Sequence, residues 1–231
     1  MSEIERRVEA TREDPDYAEV TFDEADIAAR RHRVLVGQAW NVIGHLQIDF
    51  LREQGLRPEH RFLDVGCGGF RAGRHLVDYL EPGHYYGIDI GHDVMRAGYD
   101  HELSDAQRAR LPIGNLRVTD RFDADFGVSF DMAIAQSVFT HINLNRIRLC
   151  LHRVAKVMRP GSRFFATFNE RRPRYPVDEV RKGMYTERNV FWYYRRDMRW
   201  AARETPWTLR YIGNWGHPRD QKMVEFTRDS D

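Results

Sequence analysis

Apolar residues along the first third of the chain recur at helical spacing. Between 23 and 54, Val36, Trp40, Ile43, Leu46 or Gln47, and Phe50 advance by three or four, which predicts one amphipathic helix. Gly55 ends that pattern and Pro58 confirms the stop. Short apolar runs then alternate with helical stretches: strand 61–65, helix 72–80, strand 85–90, helix 92–103, strands 116–119 and 131–135, helix 144–158, strand 163–168. A helix over 190–204 follows, then strands 209–213 and 222–227 joined by a turn-rich stretch around His217. Strand and helix taking turns predicts an α/β fold: a Rossmann-like, seven-stranded, mostly parallel sheet with helices on both faces and a C-terminal antiparallel hairpin. The expected organisation is a polar segment over 1–21, a helical cap over 22–57 and a main domain over 58–231. Residues 169–189 form an insertion longer than an ordinary connection, expected to face substrate.

Composition narrows the class. The 231 residues are 42% hydrophobic and 31% charged, enough for one sizeable core, and no apolar run reaches membrane-spanning length. The charged N-terminus is unlike a signal peptide, and two unrelated cysteines, Cys67 and Cys150, support neither a disulfide framework nor a zinc site. A cytoplasmic protein is the expectation. The net charge of +1 hides an asymmetry: residues 1–30 hold four Arg against ten acids, and residues 170–210 hold eleven basic residues against six acids.

Candidate chemistry gathers at two strand ends. Asp64-Val65-Gly66-Cys67-Gly68-Gly69-Phe70-Arg71 joins the first strand to its helix, and glycines there let backbone N–H groups approach a ligand. Asp89 closes the second strand, 23 residues after Gly66, about where a carboxylate accepts hydrogen bonds from a ribose diol. A nicotinamide dinucleotide fits poorly, because Gly66 and Gly68 are followed by Arg71 instead of a third glycine, and Asp64 would repel a pyrophosphate. A ligand carrying an ammonium and a sulfonium, S-adenosylmethionine, suits the set better.

Asp64-Val65-Gly66-Cys67-Gly68, with Gly87-Ile88-Asp89 at the next strand end, resembles the class I S-adenosylmethionine-dependent methyltransferases over roughly residues 60–228. Arg71-Ala72-Gly73-Arg74, Gln136-Ser137-Val138-Phe139-Thr140-His141 and Asn214-Trp215-Gly216-His217-Pro218 resemble a bacterial subgroup that methylates sugars, polysaccharides and natural products. One position departs: Phe70 stands where the family has its third glycine. The resemblance implies that Asp64, Gly66, Cys67, Gly68 and Gly69 hold the methionyl part and that Asp89, with Ile90 beside it, holds the ribose. Asp120 and Phe122 would face the adenine, and Gln136 and Ser137 would flank the transferring methyl. Arg71, at a helix N-terminus, either pairs with the methionine carboxylate or packs its helix.

Methyl transfer to a hydroxyl requires removal of a proton. His141, a few residues beyond the fourth strand, is the first candidate base. Gln38, Asn41, His45, Asp49 and Arg52 share one helix face, so His45 and Asp49 offer a second base, unless that face is simply solvated. Asn41, Tyr175, Tyr185, Tyr193 and His217 are candidate acceptor contacts. The spacing demands no metal, although a divalent ion would not conflict with it. The expected reaction is O-methylation of a sugar, oligosaccharide or glycosylated small molecule, yielding S-adenosylhomocysteine. An RNA or protein methyltransferase docking through 170–210 is an alternative, as is an inactive cofactor-binding partner protein. Neither membrane nor nucleic acid is an expected partner, and a homodimer through the N-terminal helices is a further expectation.

Overall fold

The structure, a computed structural model, describes residues 18–35, 39–172 and 190–230. Tyr175, Tyr185, Val36 and Gln38 lie outside the described residues. Seven strands form one continuous ladder: β1 (Phe62–Val65), β2 (Tyr85–Asp89), β3 (Leu116–Val118), β4 (Phe130–Ala135), β5 (Met158–Glu170), β7 (Trp207–Asn214) and β8 (Lys222–Arg228). Their order across the sheet is β3-β2-β1-β4-β5-β8-β7. β1 to β5 pair in parallel, and β8 runs antiparallel between β5 and β7. The expected parallel sheet and terminal hairpin are therefore present. An eighth strand, β6 (Trp192–Tyr193), pairs with the end of β5 where the sequence suggested helix, and the helix starts only at Arg195.

The helices are α1 (Glu24–Ala28), α2 (Arg31–Leu35), α3 (Trp40–Glu53), α4 (Gly73–Tyr79), α5 (His92–His101), α6 (Asp105–Arg110), α7 (Leu144–Ala155) and α8 (Arg195–Ala202). The single helix expected over 23–54 is broken into three pieces. Arg30 and Ala39 adopt left-handed backbone, with φ of 56° and 66°, which no α-helix continues through. Apolar periodicity carries no mark of such breaks, because the expected stripe falls on α3, where Trp40, Ile43, Gln47 and Phe50 are buried, whereas α1 buries none of its residues. α6 was not expected, although Ser104 and Gln107 form a reciprocal cap that the sequence displays as S-x-x-Q.

Two apolar clusters sandwich the sheet. One packs α7 and α8 against Phe130, Phe164 and Phe226; the other packs α3 and α4 against Phe62, Ile134 and Phe165. Phe50 of α3 meets Phe165 and Trp215 edge-on at 5.2 and 5.4 Å, and Arg163 of β5 donates to the Gln54 side chain at 2.7 Å. At its other end the N-terminal region is clamped to α5, where Glu102 accepts from Arg33 through two 2.6 Å bonds and meets His32 at 2.7 Å. These ties set the N-terminal helices over the back of the loop that follows β1.

Candidate functional site

A cleft of about 660 Å³ opens at the carboxyl ends of β1, β2 and β4. Parallel pairing puts Asp64 beside Gly87 and Val65 beside Ile88, so the loops leaving β1 and β2 emerge side by side. The N–H groups of Gly66 and Cys67 both donate to the Ile88 carbonyl, at 2.7 and 3.1 Å. Asp89 then fastens the loops together, accepting from Gly68 N–H and Gly91 N–H at 2.8 Å each. Burial pushes its carboxyl above the usual range, and the backbone donors pull it back. The carboxylate faces the cleft with lone pairs to spare for hydroxyl donors.

Close backbone packing shapes this loop. A Cβ on Gly66, at φ 77°, would lie 2.3 Å from the Val138 side chain across the cleft. Gly98 of α5 lies so near Gly69 that a Cβ there would come within 2.5 Å of its backbone. Phe70 adopts φ 65°, the left-handed conformation a glycine takes freely, and its buried ring packs near Tyr85 and Tyr99. The missing third glycine therefore leaves the left-handed turn in place and fills the space beneath it with an aromatic ring.

Ten of the expected site residues line the cleft: Gly66, Gly68, Arg71, Asp89, Ile90, Asp120, Phe122, Gln136, Ser137 and His141. Asp64, Cys67 and Gly69 do not. Asp64 is 3% exposed and accepts from the Tyr85 hydroxyl at 2.8 Å beneath the loop, because its side chain leaves β1 toward α4 rather than the ligand side. Burial drives its carboxyl up to about 7, the Asp89 charge adds to this, and the Tyr85 bond and Arg71 oppose it. Cys67 packs into the space over Gly87, and burial raises its thiol.

Arg71 is buried, and its guanidinium is lowered to about 10 by burial and by Arg219, so it stays cationic at neutral pH. It donates to the Gln136 side-chain oxygen. Gln136 continues to Ser137 Oγ at 2.7 Å and to His217 at 3.2 Å, and Ser137 Oγ donates to Gln221 at 3.0 Å. Thr167 joins from β5, its hydroxyl accepting from Ser137 N–H at 2.7 Å and donating to Gln221 at 2.9 Å. His217 is thus a buried member of this network; burial, with Arg71 and Arg219 nearby, lowers it to about 4. Thr167 and Gln221 were missed, because a mid-strand Thr and a lone Gln after a turn carry no motif.

The opposite wall is apolar. Val138, Ile142 and Phe191 stand around His141, which sits on a turn closed by its own N–H to the Val138 carbonyl at 2.9 Å. Phe191 N–H donates to the Thr140 carbonyl at 2.7 Å, and Tyr193 donates to the Ile142 carbonyl at 2.6 Å. Tyr193, expected to touch acceptor, is buried and props this turn from behind. Arg146, also missed, lies over the Phe122 ring at 5.7 Å and donates to the Asp120 carbonyl. His45, Asp49 and Asn41 are exposed on α3 and lie outside the cleft: His45 meets the Asn41 carbonyl at 2.9 Å and its ring lies tilted against that of His75 at 4.4 Å, and Asn41 accepts from Arg74 at 2.7 Å. Among the described residues no group of three His, Cys, Asp or Glu side chains converges on a metal position, and no helix is long and apolar enough to cross a membrane.

Comparison with known proteins agrees with this geometry. Residues 63–164 match the family described as methyltransferase domain. A ubiquinone biosynthesis O-methyltransferase from Hahella chejuensis is 28% identical over 130 residues, which are 55% of this chain and 51% of that protein. The chain therefore matches about half the length of that relative. Among solved structures, magnesium protoporphyrin IX methyltransferase from Synechocystis PCC 6803 with bound S-adenosylmethionine superposes with a TM-score of 0.59 at 15% identity, over 91% of this chain and 100% of that one. DesVI of Streptomyces venezuelae gives 0.60 at 16% identity, over 90% and 99%. An S-adenosylmethionine-dependent methyltransferase from Clostridium acetobutylicum gives 0.62 at 12% identity, over 90% and 99%. Residues 63–164 thus match a methyltransferase domain, and the sheet and cleft described above share the fold of solved S-adenosylmethionine-dependent methyltransferases.

Proposed function

We propose that the protein methylates a hydroxyl of a sugar, oligosaccharide or glycosylated small molecule, with His141 as the base. The observation that carries this reading is the position of His141, which lines the cleft beside Val138 and Ile142. When bound, S-adenosylmethionine supplies a methyl group already activated on a sulfonium. Asp89, Arg71, Phe122 and Asp120 all line the cleft; Asp89 would hold the cofactor's ribose hydroxyls, the cationic Arg71 its carboxylate, and Phe122 and Asp120 its adenine. His141 then takes the acceptor hydroxyl proton on an imidazole nitrogen as the oxygen is alkylated. Most of the remaining acceleration is positioning, for which up to about 7–11 kcal/mol is available in favourable cases. Phe191 lines the cleft near His141, and an aromatic ring there suits the C–H face of a sugar.

A second reading, a phenolic acceptor, is favoured by the apolar side chains around His141 and by the O-methyltransferase relative. Both readings require cofactor binding. Calorimetry should show S-adenosylhomocysteine binding that Asp89→Ala weakens by about 1–3 kcal/mol, since buried N–H groups lose a charged acceptor. Unchanged affinity would remove Asp89 from the ribose role. A panel of glycosides and catechols, scored by S-adenosylhomocysteine release, then separates the acceptors. Turnover of catechols alone would overturn the sugar assignment.

A further inference from the structure

A second recess, of about 680 Å³, lies at the amino-terminal ends of the strands, away from the mouth of the cofactor cleft. Four cationic side chains line it from three separate places: Arg61 ahead of β1, Arg153 and Lys156 at the end of α7, and Arg159 at the start of β5. Two carboxylates, Asp123 and Asp125, line it as well, and Asp131 lies beside it, so the four cations stand in excess. Asp131 pairs with Arg159 and accepts the Arg61 N–H at 2.8 Å. Asp123 pairs with Arg117 at 2.8 Å, and Asp125 accepts from Gly127 N–H at 3.1 Å within its own loop. Among the described residues, Arg61, Arg153 and Lys156 have no carboxylate at ion-pair distance. The α7 dipole accounts for Arg153 and Lys156 at its C-terminus, but not for Arg61 converging on them from a different element. Like charges gathered in one concavity repel one another and focus a positive potential that a multivalent anion relieves.

Phe122 connects this recess to the cofactor. It lines both cavities, stands in left-handed backbone at φ 56°, and begins the 122–129 loop that forms the rim of the recess. We propose that the recess binds a small phosphate-bearing ligand and that its occupancy tightens cofactor binding through Phe122. An anion held by Arg61, Arg153 and Lys156 lies against the 122–129 loop, and the position of that loop sets the position of Phe122 in the upper cleft. By linkage the cofactor tightens the anion equally. The coupling rests on the reading that the upper cleft holds the cofactor; the anion site itself does not.

Inorganic pyrophosphate is the probe, titrated calorimetrically into the full chain at low salt with S-adenosylhomocysteine absent and then saturating. The expected result is saturable binding below about 1 mM in both conditions, and a roughly fivefold gain in S-adenosylhomocysteine affinity with pyrophosphate present. Arg61→Ala and Lys156→Ala should each weaken pyrophosphate by about tenfold, whereas Arg196→Ala, an equal charge loss on exposed α8, should not. Absence of binding would overturn the site. So would loss of binding under saturating S-adenosylhomocysteine, which would place the anion in the cofactor cleft, or equal weakening by Arg196→Ala, which would mean diffuse charge. A short RNA that binds through these residues while pyrophosphate does not would overturn the small-ligand assignment. Failure of S-adenosylhomocysteine itself to bind is a separate result that strikes the proposed function.

Discussion

On one wall of the cleft, Gly66, Gly68 and Asp89 are fixed by backbone hydrogen bonds at the ends of two paired strands. On the other, Val138, His141, Ile142 and Phe191 ride on turns whose shape depends on Ser137 in left-handed backbone, on Phe191 N–H to Thr140 and on Tyr193 to Ile142. The first wall has main-chain atoms within van der Waals distance of each other and almost no freedom to vary. The second is a set of side chains on connecting segments, which can change identity without disturbing the sheet. A rigid backbone cradle suits an invariant ligand, and an adjustable wall suits a specific acceptor.

The sharpest way to break this contrast is to disturb the rigid wall without touching a polar group. Gly98→Ala places a methyl within 2.5 Å of the Gly69 backbone, and neither backbone can yield as a flexible side chain would. We expect a stability loss of about 3 kcal/mol and a matching fall in S-adenosylhomocysteine affinity. Denaturant unfolding and calorimetry on one preparation check both. A variant as stable and as tight-binding as the parent would show that α5 does not brace the loop.

The adjustable wall should fail differently. His141→Ala is expected to lower kcat roughly a hundredfold while cofactor affinity stays within about twofold. Parallel loss of cofactor affinity would mean that His141 supports the cleft instead of the chemistry. A kcat that survives would require another base.

The two walls also differed in how far they could be read from sequence. Glycine spacing and Asp89 were legible because close backbone approach leaves few residue choices, and strand alternation gave the sheet with its reversed strand. Side-chain direction was not legible. Asp64 lies in the motif yet points beneath the loop, since a strand sends neighbouring side chains to opposite faces and nothing in the motif says which face the ligand occupies. Tyr193 and His217 read as acceptor contacts because their partners, Ile142 and Gln136, are 51 and 81 residues away in the chain. The left-handed residues Arg30, Ala39 and Phe70 are not glycines, so the breaks they make leave no compositional trace.

Asp64 gives a smaller test within the rigid wall, in which pH is the variable. Its carboxyl titrates near 7 when folded, against 3.8 unfolded, because burial disfavours the charged form. The protonated acid is therefore the form the fold prefers. Its contribution is complete below the unfolded value and is lost as pH rises through about 7. Asp64→Asn keeps an acceptor for Tyr85 and cannot ionise. It should match the parent in stability near pH 4 and exceed it by about 1–3 kcal/mol at pH 8.5. Denaturant midpoints at the two pH values decide the matter; equal midpoints at pH 8.5 would mean that the carboxylate is stabilised by a partner other than Tyr85.

The smallest expected effect concerns the face of α3. Sequence spacing offers His45 and Asp49 as a base and its orienting carboxylate, and their helical register is as expected. Register alone does not reach the cleft, because α3 turns Trp40, Ile43 and Phe50 inward and leaves His45 and Asp49 in solvent. His45 also meets a carbonyl of its own helix and the His75 ring, contacts that any exposed histidine can make at that spacing. Removing both side chains should therefore change stability by no more than about 0.5 kcal/mol and turnover by no more than about twofold. Should the double variant instead lose turnover while His141→Ala keeps it, the chemistry would belong to the N-terminal helices, which would have to move over the cleft when both ligands are bound.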